Sequence, residues 1–326
     1  MTVRPRVLVT RRLPMVVEAA LRDQFDVELS ANDQPLAPEA LQRALGTADG
    51  ILCTVTDRFT AEVLSAYPIR ARILANFGAG VDNIDLAAAA AHDIVVTNTP
   101  GVLTDCTADL AMALMLMTLR RTGEGEREVR GGRWMGWGPT HLLGRRATGL
   151  TLGIIGMGRI GRAVARRAHH GFGMRVLCSS RSPVSSAELA AVGAEQRATL
   201  EALLIESDVV SLHCPSTAET RGLMNNTRFA LMKPGSYLIN TARGDVVDDD
   251  ALIAALMSGH LAGAGLDSYR SEPAVDRRFL GMENVVLLPH LGSATRETRE
   301  AMGRLALDNL VAFFSERDVP NRVTTA

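Results

Sequence analysis

The chain has 326 residues, 47% hydrophobic and 22% charged, which is enough apolar material for two domains with separate cores and excludes extensive disorder. Its formal net charge of −1 gives no general attraction to nucleic acid or to an anionic membrane. Cys53, Cys106, Cys178 and Cys214 lie far apart with no C-x-x-C pair, so they read as small buried residues in a reducing cytosol, not as a disulfide framework or zinc knuckle.

The N-terminus, MTVRPRVLVTRRLP, passes directly into a strand-like VLVT and carries neither the apolar core nor the cleavage site of a signal peptide. Strands are predicted at 7–10, 25–29, 50–53, 73–76 and 94–97, with helical composition at 14–22, 61–66 and 85–91. Such alternation predicts a parallel sheet covered by helices. A long helix is predicted over 104–120, capped by Thr104 or Asp105 and closed by Arg120-Arg121. Its apolar run, ADLAMALMLMTL at 108–119, is too short to span a bilayer and contains Asp109, so a soluble, cytoplasmic protein without membrane partners is expected. A glycine-rich stretch, GEGEREVRGGRWMGWGPTHLLG, occupies 123–144. Strands then resume at 151–155, 175–178, 208–213, 236–240, 262–266 and 285–288, the six of a complete dinucleotide-binding sheet, before a last helix at 295–315.

Within the second block, GMGRIG at 156–161 follows the strand TLGII and opens a helix. Gly156 permits the tight turn, Gly158 lets the backbone approach a pyrophosphate, and Gly161 lets the helix pack on the sheet. Helix N-terminal amides supply the phosphate donors. This block is therefore the expected cofactor domain, the first block the substrate domain, and the cleft between them the expected active site. The next strand ends in LCSSRSP at 177–183, where an NAD site would place a carboxylate on the ribose hydroxyls. Ser180, Arg181 and Ser182 stand there instead. The hydroxyls can donate hydrogen bonds and Arg181 can pair with a 2′-phosphate, so NADP(H) is favoured over NAD(H).

Three further segments, INTARGD at 239–245, GLDSYRSEP at 265–273 and LPHLGSAT at 288–295, each follow a predicted strand. Reduction of a 2-keto acid by hydride needs a carboxylate anchor, a polarised carbonyl and a proton donor. Arg243 suits the first two, His290 the third, and Glu272 can hold the imidazole and stabilise its protonated form. Of the other histidines, His169 and His170 suit a helix C-terminus, His213 ends a strand near the cofactor, and His92, His141 and His260 read as surface or loop residues. No HExxH or comparable ligand cluster is present, and no metal is expected.

Over nearly its whole length, from NFGAGVDNID at 76–85 through NTPGVLTDCTADLA at 98–111 to LPHLGSAT, the chain resembles the D-isomer-specific 2-hydroxyacid dehydrogenases. The resemblance implies an α/β fold of two Rossmann-like, doubly wound parallel-sheet domains. Residues 1–101 and 293–326 would form a flavodoxin-like substrate domain and 102–292 the NAD(P)-binding domain. It implies that Arg243 binds substrate, that Glu272 and His290 form the acid–base pair, and that Asp267 contacts the nicotinamide carboxamide. Backbone at Ala79 and Gly80 would cradle the substrate carboxylate, and Ser293 would reach the same substrate. Besides Gly156, Met157, Gly158, Arg159, Ile160, Gly161 and the serine–arginine segment, cofactor contacts are expected at Thr104, His213, Cys214, Thr241, Ala242, Asp267, His290 and Gly292.

Within the family the chain looks most like glyoxylate/hydroxypyruvate reductases, including GRWMGW with Trp134 and Trp137. Trp137 is a candidate contact to a partner subunit's site in a homodimer, or a packing residue of the dimer interface. Asp109 departs from the Glu common in relatives, which bears only on local helix contacts. The expected activity is NADPH-dependent reduction of glyoxylate or hydroxypyruvate. A longer substrate such as 2-ketogluconate, or a dinucleotide-sensing corepressor-like role, are the alternatives.

Overall fold

Gly50–Thr54 and Ile73–Phe77 are buried at every residue, as parallel strands with helices on both faces must be. They belong to the first of two units into which the chain divides, Met1–Leu103 with Ala294–Ala326, and Thr104–Ser293. The computed structural model describes residues 4–65 and 68–324.

The first unit runs β1 (Arg6–Val9), α1 (Met15–Gln24), β2 (Asp26–Leu29), α2 (Pro38–Thr47), β3 (Gly50–Thr54), α3 (Ala61–Leu64), β4 (Ile73–Phe77), α4 (Leu86–Ala91) and β5 (Val95–Thr97). All pairings are parallel, in the order β2-β1-β3-β4-β5, the flavodoxin-like doubly wound arrangement. Apolar clusters lie on both faces, one around Leu45, Ile51 and Leu74, the other around Val9, Leu52 and Ile73. Helix α2 was not among the expected elements, although Pro38 at its start and buried Leu41, Ala44 and Leu45 at helical spacing are legible signals. The expected helix at 61–66 is α3, and its last expected residue lies outside the described residues.

The second unit opens with α5 (Thr104–Leu119) and α6 (Thr122–Arg130). Thr104 and Asp105 form the first turn of α5 and do not flank it, a one-residue correction to the expected cap. Arg121, at φ 53°, separates the two helices. Helix α6 occupies part of the glycine-rich stretch, where ion pairs from Arg121 to Glu124 and from Arg130 to Glu126 support a turn that two glycines weaken. The sheet follows: β6 (Thr151–Ile155), α7 (Arg159–Arg166), β7 (Arg175–Ser179), α8 (Ser186–Val192), β8 (Ala194–Gln196), α9 (Leu200–Glu206), β9 (Val209–Leu212), α10 (Asn226–Leu231), β10 (Ser236–Asn240), α11 (Asp249–Met257), β11 (Leu261–Leu266), α12 (Arg277–Leu280) and β12 (Val285–Leu287). Its order is β12-β11-β10-β9-β6-β7-β8, seven parallel strands where six were expected. The extra edge strand, β8, is three residues long with no buried position, so periodicity gave no sign of it. Helix α7 continues as one π-helical turn, Arg167–Gly171. Arg167 there donates to Asp105 and Asp109, so the shorter Asp109 side chain still ties α5 to the end of the fingerprint helix.

Finally α13 (Arg296–Phe314), capped by the Thr295 hydroxyl, packs on β4 and α1 of the first unit. Gly303 makes room for Val17, since a Cβ there would lie 2.5 Å from Val17. Among the described residues no helix is long and apolar enough to cross a membrane.

Candidate active site

Strand order reverses between β6 and β9, since β7 and β8 extend the sheet one way and β10 to β12 the other. In open α/β sheets ligands bind beyond the carboxyl ends of strands at such a switch point. Here β6 delivers Gly156 and β9 delivers His213 and Cys214. The His213 amide closes on Ile155 O at 2.8 Å, and a Cβ at Gly156 would lie 2.6 Å from the Cys214 nitrogen. With φ 98°, Gly156 holds a conformation that other residues resist. Gly161 lies on the Gly156 carbonyl, where a Cβ would come within 2.1 Å of its oxygen. Gly158 is different, because a Cβ there would meet nothing of the chain within 4 Å. Packing does not require glycine at that position, but close approach of a pyrophosphate does, so the turn fits a dinucleotide. Met157 turns its side chain into the core, leaving only its backbone for a ligand, whereas Arg159 is exposed.

Past the end of β7, Ser180 is half-buried and Arg181 and Ser182 are exposed. Arg181 lies within electrostatic reach of Glu219. The Glu219 carboxyl is held below the usual range by the Thr217 hydroxyl, its own backbone amide and the field of Arg181. His213, half-buried, contacts the Ser211 hydroxyl through Nε2 at 2.8 Å, and burial pushes its pKa down to about 4. It is a neutral wall, not a proton carrier, near neutral pH.

The three loops expected to carry chemistry leave β10, β11 and β12, which are neighbours in the sheet. Asn240, almost fully buried, fastens the first: its Nδ2 donates to Arg243 O at 2.9 Å and its Oδ1 accepts from Ala242 N at 3.0 Å. Arg243 Nη1 donates to Ala242 O at 2.9 Å, and the Thr241 hydroxyl is buried without a partner. From the second and third loops, Glu272 Oε2 and His290 Nδ1 meet at 2.8 Å. An ionised carboxylate only accepts, so Nδ1 carries the hydrogen and Nε2 is left as the working nitrogen. Burial raises the Glu272 pKa, but the hydrogen bond and charge of His290, the Tyr269 amide and the field of Arg243 outweigh it and hold the carboxyl below its usual range. His290 sits at φ 56°, a left-handed backbone that costs a non-glycine residue about 1–2 kcal/mol.

Asp267 accounts for part of how that conformation is held. It is 1% exposed, and its two oxygens accept from Leu291 N at 2.7 Å and Gly292 N at 2.8 Å. Burial raises its pKa against the pull of those amides and of His290. The carboxylate expected at the nicotinamide thus grips the turn that follows His290. Gly292 O in turn accepts from the Thr107 hydroxyl of α5 at 2.9 Å.

In the first unit, the loop after β4 contains Ala79 and Gly80. Its carbonyls are taken in succession: Gly78 O by Thr99 N at 2.9 Å, Ala79 O by Asn98 Nδ2 at 2.7 Å, and Gly80 O by Asn76 Nδ2 at 2.8 Å. The amides of Ala79, Gly80 and Val81 make no hydrogen bond within the described residues. Pinned carbonyls with free amides make an anion-binding nest, suited to a carboxylate. The family resemblance implied a cradle at Ala79 and Gly80; Asn76, Asn98 and Asn240, the amide side chains that fasten these loops, were not among the expected residues. An Asn as the last residue of a predicted strand was the available signal for Asn76 and Asn240, whereas Asn98 lies one residue past its strand.

Trp137 is 85% exposed and Met135 96%, on a loop next to α6, which buries none of its residues. Ser293 is half-buried and ends the second unit.

A profile of the D-isomer specific 2-hydroxyacid dehydrogenase NAD-binding domain matches residues 112–292, and the chain belongs to that family. It is 46% identical over 314 residues to the glyoxylate reductase of Thermococcus kodakarensis, spanning 95% of this chain and 93% of that protein. Crystalline NADPH-dependent glyoxylate/hydroxypyruvate reductase of Sinorhizobium meliloti, in complex with NADP and malonate, is similar at TM-score 0.87 and 36% identity, over 98% of this chain and 97% of that one. The holo form of Rhodotorula graminis D-mandelate dehydrogenase is similar at TM-score 0.87 and 31% identity, over 100% and 99%. Fold and family together define an oxidoreductase of the 2-hydroxyacid class with a nicotinamide dinucleotide cofactor.

Proposed function

We propose that the protein is an NADPH-dependent reductase of small 2-keto acids, with glyoxylate and hydroxypyruvate as leading substrates. The observation that carries this reading is the Glu272–His290 contact of 2.8 Å. It leaves one imidazole nitrogen for proton delivery and keeps a carboxylate against the other. The nicotinamide supplies hydride. Arg243 holds the substrate carboxylate and polarises its carbonyl, while Ser293 orients the substrate; the Ala79 and Gly80 amides are a cradle of the right chemistry for a carboxylate. Protonated His290 passes its Nε2 proton to the developing alkoxide, and Glu272 stabilises the charge on the ring while it lasts.

The NADPH preference rests on Ser180, Arg181 and Ser182 standing where a ribose-binding carboxylate is absent. A charge-assisted contact to a 2′-phosphate is worth about 1.5–3 kcal/mol, or roughly ten- to a hundredfold in affinity. The protein is further proposed to act as a homodimer. A second copy would cover the exposed Trp134, Met135 and Trp137, large apolar side chains close together in the chain, since clustered exposed apolar residues are a common mark of an interface.

Initial rates with glyoxylate, hydroxypyruvate and 2-ketogluconate, each with NADPH and NADH, test the reading. Small keto acids with NADPH are expected to be fastest. Ser180→Asp with Arg181→Ala is expected to reverse the cofactor preference, and equal use of both cofactors by the unmodified protein would contradict the assignment of that segment. Binding of NADPH without turnover of any 2-keto acid would remove the enzymatic reading altogether.

A further inference from the structure

Tyr269 is hydrogen-bonded both to Glu272 and to the segment that leads into His290. Its backbone N–H donates to Glu272 Oε1 at 2.9 Å, on the carboxylate whose other oxygen meets His290. Its phenol oxygen lies 2.8 Å from Leu288 O and 3.2 Å from Leu266 O. With one hydrogen to give, the phenol donates chiefly to Leu288, two residues before His290. The ring packs at the margin of the apolar cluster around Leu238, Leu252 and Leu266. Burial, foremost, raises its pKa to about 12, so the hydroxyl remains a donor over the whole working pH range.

Two neighbouring features make this contact consequential. His290 has a left-handed backbone and must be held on both sides. Asp267 secures the two amides that follow it, and among the described residues the Tyr269 hydroxyl is the side-chain group hydrogen-bonded to the segment before it. Gly244, next to Arg243, lies directly on the Tyr269–Arg270 peptide, where a Cβ would be 1.9 Å from the Tyr269 carbonyl carbon. Backbone and phenol of this one residue thus touch all three loops.

We propose that Tyr269 is the positioning residue of the pair: its amide orients Glu272, its hydroxyl fixes the segment leading into His290, and the separation of the two depends on both. The inference rests on the reading of Glu272 and His290 given above.

Tyr269→Phe removes one oxygen and keeps the ring. With the best 2-keto acid, kcat is expected to fall about tenfold, the upper end for one lost hydrogen bond, while KM and NADPH binding change less than about twofold. Adding the same change to Glu272→Ala is expected to cost nothing further, because the pair is already broken. A hydroxyl that served only stability would lower kcat by the same factor in both backgrounds, and that result would overturn the proposal. A second readout needs no turnover: the downfield Nδ1 proton resonance of His290, assigned by its loss in His290→Gln and in Glu272→Ala. Tyr269→Phe is expected to broaden it or move it upfield, and an unchanged resonance would overturn the proposal. If the unmodified protein reduces no 2-keto acid, the reaction reading fails and the resonance alone decides the role of Tyr269.

Discussion

The two units end their parallel strands in different materials. The first presents backbone amides, made available because the carbonyls of Gly78, Ala79 and Gly80 are each engaged elsewhere. The second presents titratable side chains, Arg243, Glu272 and His290, on loops from three adjacent strands. Amides do not titrate and stay put once the loop is pinned, which suits an anchor for a permanent negative charge. Side chains change protonation and need their own supports, which suits the group that must give up a proton. Tyr269, Asp267 and Asn240 are those supports in the second unit, and Asn76 and Asn98 are their counterparts in the first.

The strongest way to break the comparison is to remove the proton donor. His290→Asn is expected to lower kcat for keto-acid reduction by about 10²- to 10⁴-fold, with NADPH binding by fluorescence titration nearly unchanged. A loss of less than about tenfold would strip His290 of its role and leave the second unit as a second anchor. A smaller effect of opposite kinetic form is expected from the first unit. Asn98→Ala leaves the Ala79 carbonyl without its donor, a loss of about 1–3 kcal/mol, and frees the loop to turn its amides away. KM for the keto acid is expected to rise about tenfold or more with little change in kcat. The reverse split, kcat lost and KM kept, would mean that the nest acts on chemistry and that the division of labour is misdrawn.

Much of this was legible before any coordinates, for identifiable reasons. Gly156, Gly158 and Gly161 announce themselves because a turn, a ligand and a helix each exclude a side chain there. Arg243, Glu272 and His290 stood out as candidates because they arrive together at the ends of successive strands, and the structure brings Glu272 and His290 to 2.8 Å. Supports are harder to read. Tyr269 acts through its own amide and one hydroxyl, Asn98 through a bond across 19 residues, and neither leaves a spacing pattern. Asp267 was noticed, but its grip on residues 24 and 25 positions away is a fact of folding that composition does not carry. Strand β8 escaped because an edge strand with no buried residue has no apolar rhythm to show.

The comparison can also be sharpened within the second unit, where not every titratable group is there to titrate. His213 beside the fingerprint turn has its pKa lowered by burial from 6.5 to about 4. Its folded form therefore resists protonation that the unfolded chain accepts. The sign follows: stability from the neutral ring is complete above about pH 6.5, is lost as pH falls toward 4, and changes no further below that. At about 1.36 kcal/mol per pKa unit, the loss is at most about 3 kcal/mol. In His213→Gln, which keeps an amide near Ser211 but cannot titrate, the fall in unfolding free energy between pH 7 and pH 5 is expected to be shallower than in the unmodified protein. Denaturant titrations at pH 7, 6 and 5 measure it, and parallel slopes would show that water reaches the ring. A shallower slope would show that burial keeps the His213 ring neutral, in contrast to the proton-transfer role proposed for His290 beside the Glu272 carboxylate.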